Sequence, residues 1–188
     1  ILGVMYEYGK GVEKDLKAAV RLYGLAAEQG HSNAQCNLGV CYEKGESVKK
    51  DVDKAVRLYG LAAEQGYAKA QYNLGMMYIN GKGVDQNYAS AAEWFQKAAD
   101  QGNKNAQNKL GEMYANGKGV SQNFESAIKL YKLAANQNYA PAQHNLGLMY
   151  YRGQGGPKDL TKARELYKQS ADQGYAPAQL ALKILNKT

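Results

Sequence analysis

The sequence predicts an all-α protein built as an array of helix pairs with a 36-residue repeat. Three observations carry that prediction. Leu-Gly recurs at Leu2-Gly3, Leu38-Gly39, Leu74-Gly75, Leu110-Gly111 and Leu146-Gly147, each followed three residues on by Tyr6, Tyr42, Tyr78, Tyr114 or Tyr150. Small residues and an aromatic recur at the same offset downstream, Ala19, Leu22, Tyr23, Ala26 and Ala27 returning as Ala91, Trp94, Phe95, Ala98 and Ala99. No insertion shifts the register. A fixed period of this length marks repeats that cannot bury their own apolar face and must stack on their neighbours. Residues 1–188 therefore read as a single array of about five helix-pair repeats, the first truncated at its N-terminus and the last ending in a polar helix near 177–186.

The first helix of each pair, helix A, is predicted over 33–44, 69–80, 105–116, 141–152 and 177–186. Its apolar residues fall at helical spacing, as in Ala34, Leu38, Cys41 and Tyr42, then Ala70, Leu74, Met77 and Tyr78. Pro141 and Pro177 stand in a first turn, where a missing N–H costs nothing. The glycine after each leucine sits inside the helix, at a cost of about 1 kcal/mol against alanine, and close approach of another helix backbone is the expected compensation. Gly9, Gly45, Gly81, Gly117 and Gly153 suit the left-handed position that ends a helix, and a second glycine at 11, 83, 119 and 155 turns the chain again. These Gly-x-Gly loops lack the preceding strand of a phosphate-binding motif and read as turns.

Asp15, Asp51, Asn87, Asn123 and Asp159 are placed to cap the second helix, helix B, predicted over 16–29, 52–65, 88–101, 124–137 and 160–173. Tyr23, Tyr59, Phe95, Tyr131 and Tyr167 fill its packing column. Gly30, Gly66, Gly102 and Gly174 end it, with Asn138 at the one irregular site, a residue that tolerates the left-handed conformation.

These residues together resemble the Sel-one-like repeat family, relatives of the tetratricopeptide repeats with a slightly longer unit. The resemblance covers essentially the whole chain and rests on Ala-x-x-x-Leu-Gly-x-x-Tyr-x-x-Gly-x-Gly-Val-x-x-Asp, continued by Ala-x-x-Leu-Tyr-x-x-Ala-Ala. It implies a right-handed α-solenoid superhelix of antiparallel helix pairs, used as a non-catalytic scaffold or adaptor for other proteins or peptides, in members that are cytosolic, exported or luminal. A cysteine-rich branch ties its helices by disulfides. With only Cys36 and Cys41, about 140° apart on one helix, this chain does not look like that branch.

In such arrays the helix A faces line the concave surface, so the columns at 33, 36, 37, 40 and 44 and their repeats are the expected partner-binding positions. Asn37, Lys44, Tyr72, Asn73, Met76, Asn108, Lys109, His144, Asn145, Leu148 and Arg152 are the candidates. Their chemistry changes from repeat to repeat, as a recognition surface should. The column Asn37, Asn73 and Asn145, broken by Lys109, has two readings: amides that pair with the backbone of an extended peptide, or amides that bond locally or to water. Lys44, Lys109 and Arg152 offer cations to a carboxylate, while Tyr72, Met76 and Leu148 are the expected hot spots.

The net charge of +7 invites a nucleic-acid reading. By stretch it runs 0, +1, 0, +2 and +4 over residues 1–36, 37–72, 73–108, 109–144 and 145–188, with bases interleaved among acids along helices, which describes a solvated surface. No window holds the roughly 18 apolar residues a membrane span needs, and no signal region is visible. An enzyme is not expected. His31 and His144 have no carboxylate or thiol at metal-ligand spacing, and Ser121, Ser126 and Ser170 have no base beside them. No cofactor or metal is called for, and the partner expected is a protein or extended peptide. The alternatives are a structural spacer or docking array in a larger protein, or an enzyme whose site is assembled across repeats. Ile1 and Leu2 enter a helix already under way, which predicts further repeats upstream and an exposed edge open to end-to-end self-association. Leu182-Lys183 and the Asn186-Lys187-Thr188 terminus read as a polar cap.

Overall fold

The computed structural model describes residues 1–185 of the chain. Asn186, Lys187 and Thr188, which end the expected polar cap, lie outside the described residues. Among the described residues there are eleven helices and no strand: α1 (Leu2–Tyr8), α2 (Leu16–Glu28), α3 (Ser32–Lys44), α4 (Val52–Glu64), α5 (Ala68–Asn80), α6 (Tyr88–Asp100), α7 (Lys104–Asn116), α8 (Phe124–Ala135), α9 (Ala140–Arg152), α10 (Leu160–Asp172) and α11 (Ala176–Leu185). Each A helix starts one residue before the expected position. The B helices end one residue early, and α8 two.

The helix ends follow the sequence chemistry closely. Asp15, Asp51, Asn87, Asn123 and Asp159 each accept the backbone N–H three residues on, at 2.9–3.0 Å. A cap of this kind is worth about 1 kcal/mol. Asn138 adopts φ 53°, in the left-handed region its amide tolerates. Ser47 is the exception to the loop glycines. It stands where the other loops have Gly11, Gly83, Gly119 and Gly155, and it takes φ 59° without being glycine. In two of those loops the glycine is needed for space as well, since a Cβ on Gly83 would stand 3.0 Å from Val52 Cγ1 and one on Gly155 2.8 Å from Ile128 Cδ1.

The chain divides into two compact units, Ile1–Lys97 and Ala98–Thr188, with the division falling inside α6. In the first, one core cluster gathers Ala19, Tyr23, Leu38 and Cys41. A second gathers Cys36, Ala55, Tyr59, Ala62, Ala63, Ala70, Leu74 and Met77. In the second unit, Ala127, Tyr131, Leu146 and Met149 form one cluster, and Ala163, Tyr167 and Leu185 another. The alanines bring the helices close, and one aromatic per repeat fills the space between them.

The helix A glycine is where the expected contact needs correcting. A Cβ at Gly39 would lie 2.8 Å from the Tyr59 ring, at Gly75 2.6 Å from Phe95, at Gly111 2.7 Å from Tyr131 and at Gly147 2.9 Å from Tyr167. The near neighbour is thus the Cδ1–Cε1 side of an aromatic ring on the following B helix. Backbone approach is secondary, at 3.4 Å from the Ala55 carbonyl for Gly39 and 3.3 Å from the Ala163 carbonyl for Gly147. Leu38, Leu74, Leu110 and Leu146, the residues before these glycines, are all buried.

Candidate functional site

In the first unit the candidates sit on α3 and α5. Tyr72 is half-buried with its ring 5.7 Å from that of Phe95, so one edge belongs to the core. Asn73 donates its amide to Cys36 Sγ at 3.6 Å, and Asn37 accepts from Lys69 Nζ at 3.4 Å. Lys44 is exposed and pairs loosely with Glu46 at 3.5 Å. Met76 is half-buried, and Asn80, one turn on, donates to the Met76 carbonyl at 2.8 Å. Cys36 itself is fully buried and lies behind this face. Burial pushes both the Cys36 and the Cys41 thiol up to about 11, which leaves them protonated and unreactive at neutral pH.

In the second unit, on α7 and α9, Glu112 gathers three of the candidates. Asn108 donates to its Oε1 at 2.7 Å and Lys109 pairs with its Oε2 at 2.8 Å. Asn145 donates to the Asn108 amide oxygen at 3.0 Å and reaches Glu112 Oε1 at 3.4 Å. Asn108 is buried, 3% exposed, so it lies beneath the expected face and serves as a link between α7 and α9. Lys109 is committed to Glu112, which partly neutralises the cation the sequence offered to a ligand. Leu148 is half-buried, and Arg152 is exposed and makes no ion pair among the described residues.

His144 is also drawn inward. Its ring packs between Tyr167 at 5.4 Å and Tyr175 at 5.6 Å, and its Nδ1 is buried without a hydrogen-bond partner. Burial lowers its pKa below 6.5. The fold therefore holds the neutral ring, while the unfolded chain takes up a proton as pH falls below about 6.5. Stability is expected to be unaffected by this group above that pH and to drop on acidification below it. Urea midpoints compared at pH 7.5 and pH 5 should fall further for the wild type than for His144→Phe. An equal fall in both would remove the histidine as the cause.

Glu112 is the residue that sequence reasoning undervalued. Its signal was present, because it is the one acid in a column otherwise occupied by Val40, Met76 and Leu148. A second overlooked set is structural. Gln35, Gln71, Gln107 and Gln143 are buried, at 3–4% exposure. Gln71 and Gln107 donate to the Ala63 and Ala99 carbonyls at 3.1 Å. Gln35, Gln107 and Gln143 accept from Gln65, Gln137 and Gln173 at 2.7, 2.8 and 2.6 Å. Both glutamine columns keep the 36-residue period.

The remaining candidates for chemistry are dispersed. Ser170 is buried and spends its hydroxyl on the Ala140 carbonyl at 2.7 Å, while His31 and Ser121 are exposed. Among the described residues no group of three His, Cys, Asp or Glu side chains is arranged to hold a metal, and no helix is long and apolar enough to cross a membrane.

The Sel1 repeat family matches this chain five times, at residues 1–31, 32–67, 68–103, 104–139 and 140–175. The chain belongs to the Sel1 repeat family. A protective antigen of uropathogenic Escherichia coli with an SLR fold is 42% identical at a TM-score of 0.88, over 96% of this chain and 39% of that one. A Sel1 repeat protein from Oxalobacter formigenes is 38% identical at a TM-score of 0.89, over 96% and 72%. An immunity protein from Pseudomonas aeruginosa is 30% identical at a TM-score of 0.59, over 86% and 60%. The chain thus spans about two fifths of the length of the E. coli antigen. No curated protein matches it. Sel1 repeat proteins are generally non-catalytic scaffolds that bind other proteins, and this chain carries the Sel1 repeat across residues 1–175.

Proposed function

We propose that this chain is a non-catalytic adaptor that captures a protein or an extended peptide on the helix A face. The observation that carries this reading is the contrast between columns. Core columns such as Leu38, Leu74, Leu110 and Leu146 keep one residue throughout, whereas the outer column of Val40, Met76, Glu112 and Leu148 sets three apolar side chains of different shape against one acid. Packing explains the constant columns, and a surface free to vary suits a partner that is itself irregular. The Pseudomonas relative named an immunity protein is in keeping with a protein as ligand.

Met76, Leu148 and Arg152 are the contact residues on this reading, with Arg152 offered to a carboxylate. The local bonds of Asn37, Asn73 and Asn145 favour a structural role for the amide column. Tyr72 is a poor first test, because truncating it also strips the Phe95 ring of a neighbour. Affinity capture from the source cell's lysate, using wild type beside Met76→Asp and Leu148→Asp/Arg152→Glu, is the direct experiment. A polypeptide held by wild type and lost by the variants, with helicity unchanged by circular dichroism, is the expected result. Equal capture by all baits would place the binding surface elsewhere, and empty baits throughout would favour a spacer array.

A further inference from the structure

The outer faces of α2 and α4 carry a feature that neither packing nor ligand capture on the A helices uses. Residues 21–30 and 57–66 are the same decapeptide, Arg-Leu-Tyr-Gly-Leu-Ala-Ala-Glu-Gln-Gly. Arg21, Gly24, Leu25 and Glu28 share one side of α2 at spacings of three, four and seven, and Arg57, Gly60, Leu61 and Glu64 do the same on α4. Leu25 and Leu61 are 50% and 51% exposed. A Cβ at Gly24 or Gly60 would meet nothing within 4 Å, so no contact among the described residues calls for either mid-helix glycine. None of the two arginines and two glutamates makes an ion pair among the described residues.

The two helices belong to one compact unit, and Leu58 of α4 packs on the cluster that holds Ala19 and Tyr23 of α2. Gly39 of α3 meets Tyr59, and Gln35 meets Gln65, so α3 and α4 run antiparallel. Gln35 also reaches back to Ala27, at the end of α2. Helices α2 and α4 therefore point the same way and present their decapeptides side by side.

We propose that this face is the interface of a two-fold dimer of the chain. The charge pattern selects a second copy as the occupant. Along α2 the centre between Arg21 and Glu28 coincides with the centre of Gly24-Leu25, and along α4 the centre between Arg57 and Glu64 coincides with that of Gly60-Leu61. A single two-fold axis lying across both centres lays each helix antiparallel on its own copy. Arg21 then meets Glu28 of the second copy, Arg57 meets its Glu64, and each leucine seats on the opposite glycine. Such a face is complementary to itself, as an isologous interface requires.

The other B helices lack the pattern. In place of Arg and Glu they carry Glu93 with Asp100, Lys129 with Asn136, and Glu165 with Asp172. In place of Gly-Leu they carry Gln96-Lys97, Lys132-Leu133 and Lys168-Gln169. Each of these pairs includes a long polar side chain of the kind that keeps an outer face in water. The departure is confined to the two helices whose decapeptides are identical.

Sedimentation equilibrium on the full chain tests the proposal. With rising concentration the mass should climb from 20.6 kDa towards twice that value and stop there. Leu25→Lys/Leu61→Lys should hold it at one copy with the melting temperature retained. Gly24→Gln/Gly60→Gln, which installs the residue α6 carries at that column, should also give one copy while leaving the melting temperature equal or higher. Arg21→Glu/Arg57→Glu and Glu28→Arg/Glu64→Arg should each be monomeric alone and form a mixed dimer when combined. A wild type that stays at 20.6 kDa overturns the proposal, as does a dimer untouched by these substitutions. Open-ended growth past two copies would assign association to the exposed Ile1 and Leu2 edge and overturn it equally.

Discussion

Phe95→Ala is expected to lower the unfolding free energy by about 3–5 kcal/mol, read as a shift of the urea midpoint. The ring is fully buried, lies against Gly75 and has Tyr72 beside it. Removing it deletes the transfer energy of the side chain and leaves a cavity between Gly75 and the Tyr72 ring. Gly75→Ala attacks the same contact from the other side. The new methyl would begin 2.6 Å from a ring carbon, so α5 or the ring must shift, at about 1–3 kcal/mol. Because the two changes share one contact, Gly75→Ala combined with the slimmer Phe95→Leu should cost less than the sum of the singles. Strict additivity would show that the ring does not determine the glycine.

Gln107→Ala should cost about 1–3 kcal/mol, a large effect for a polar residue. Its amide donates to the Ala99 carbonyl, and its oxygen accepts from Gln137. Truncation removes both bonds inside the protein and opens space that water reaches poorly. The informative form is the double-mutant cycle with Gln137→Ala. Coupling of about 0.5–1.5 kcal/mol between residues 30 apart in sequence would identify the glutamine pair as a tie between the two ends of one repeat. No coupling would mean that the pair merely tolerates burial.

Much of the fold was legible because its determinants are local. Asp15 and Asn123 cap helices by bonding three residues on, and Leu74 is buried because the helical period puts it beside Ala70 and Met77. Asn138 was readable for the same reason, a backbone demand met by its own side chain. The surface columns were less legible. Cys36 and Asn108 share a column with Tyr72 and His144, and helical geometry alone places that column at the edge of the packing face. The depth to which it sinks depends on the next repeat, whose Asn73 or Asn145 reaches back over it. The glutamines were overlooked for another reason. Amide side chains are mostly exposed in proteins, so their periodicity reads as solvation until both partners of a pair are seen. Gly39 showed that a close contact was needed but not what made it, since a ring and a backbone ask for the same missing methyl.

The ties between neighbouring repeats have a mechanical corollary. The Asn73–Cys36 and Asn145–Asn108 bonds join successive repeats, 37 positions apart, while the glutamine pairs, 30 positions apart, close a single repeat on itself. Pulled from its two ends, such a chain would give way as a row of clasps. Each repeat released would add roughly 120 Å of slack at full extension. A force-extension trace should therefore be a sawtooth of evenly spaced teeth, and a repeat let out under load could rewind against its intact neighbour once the load is gone.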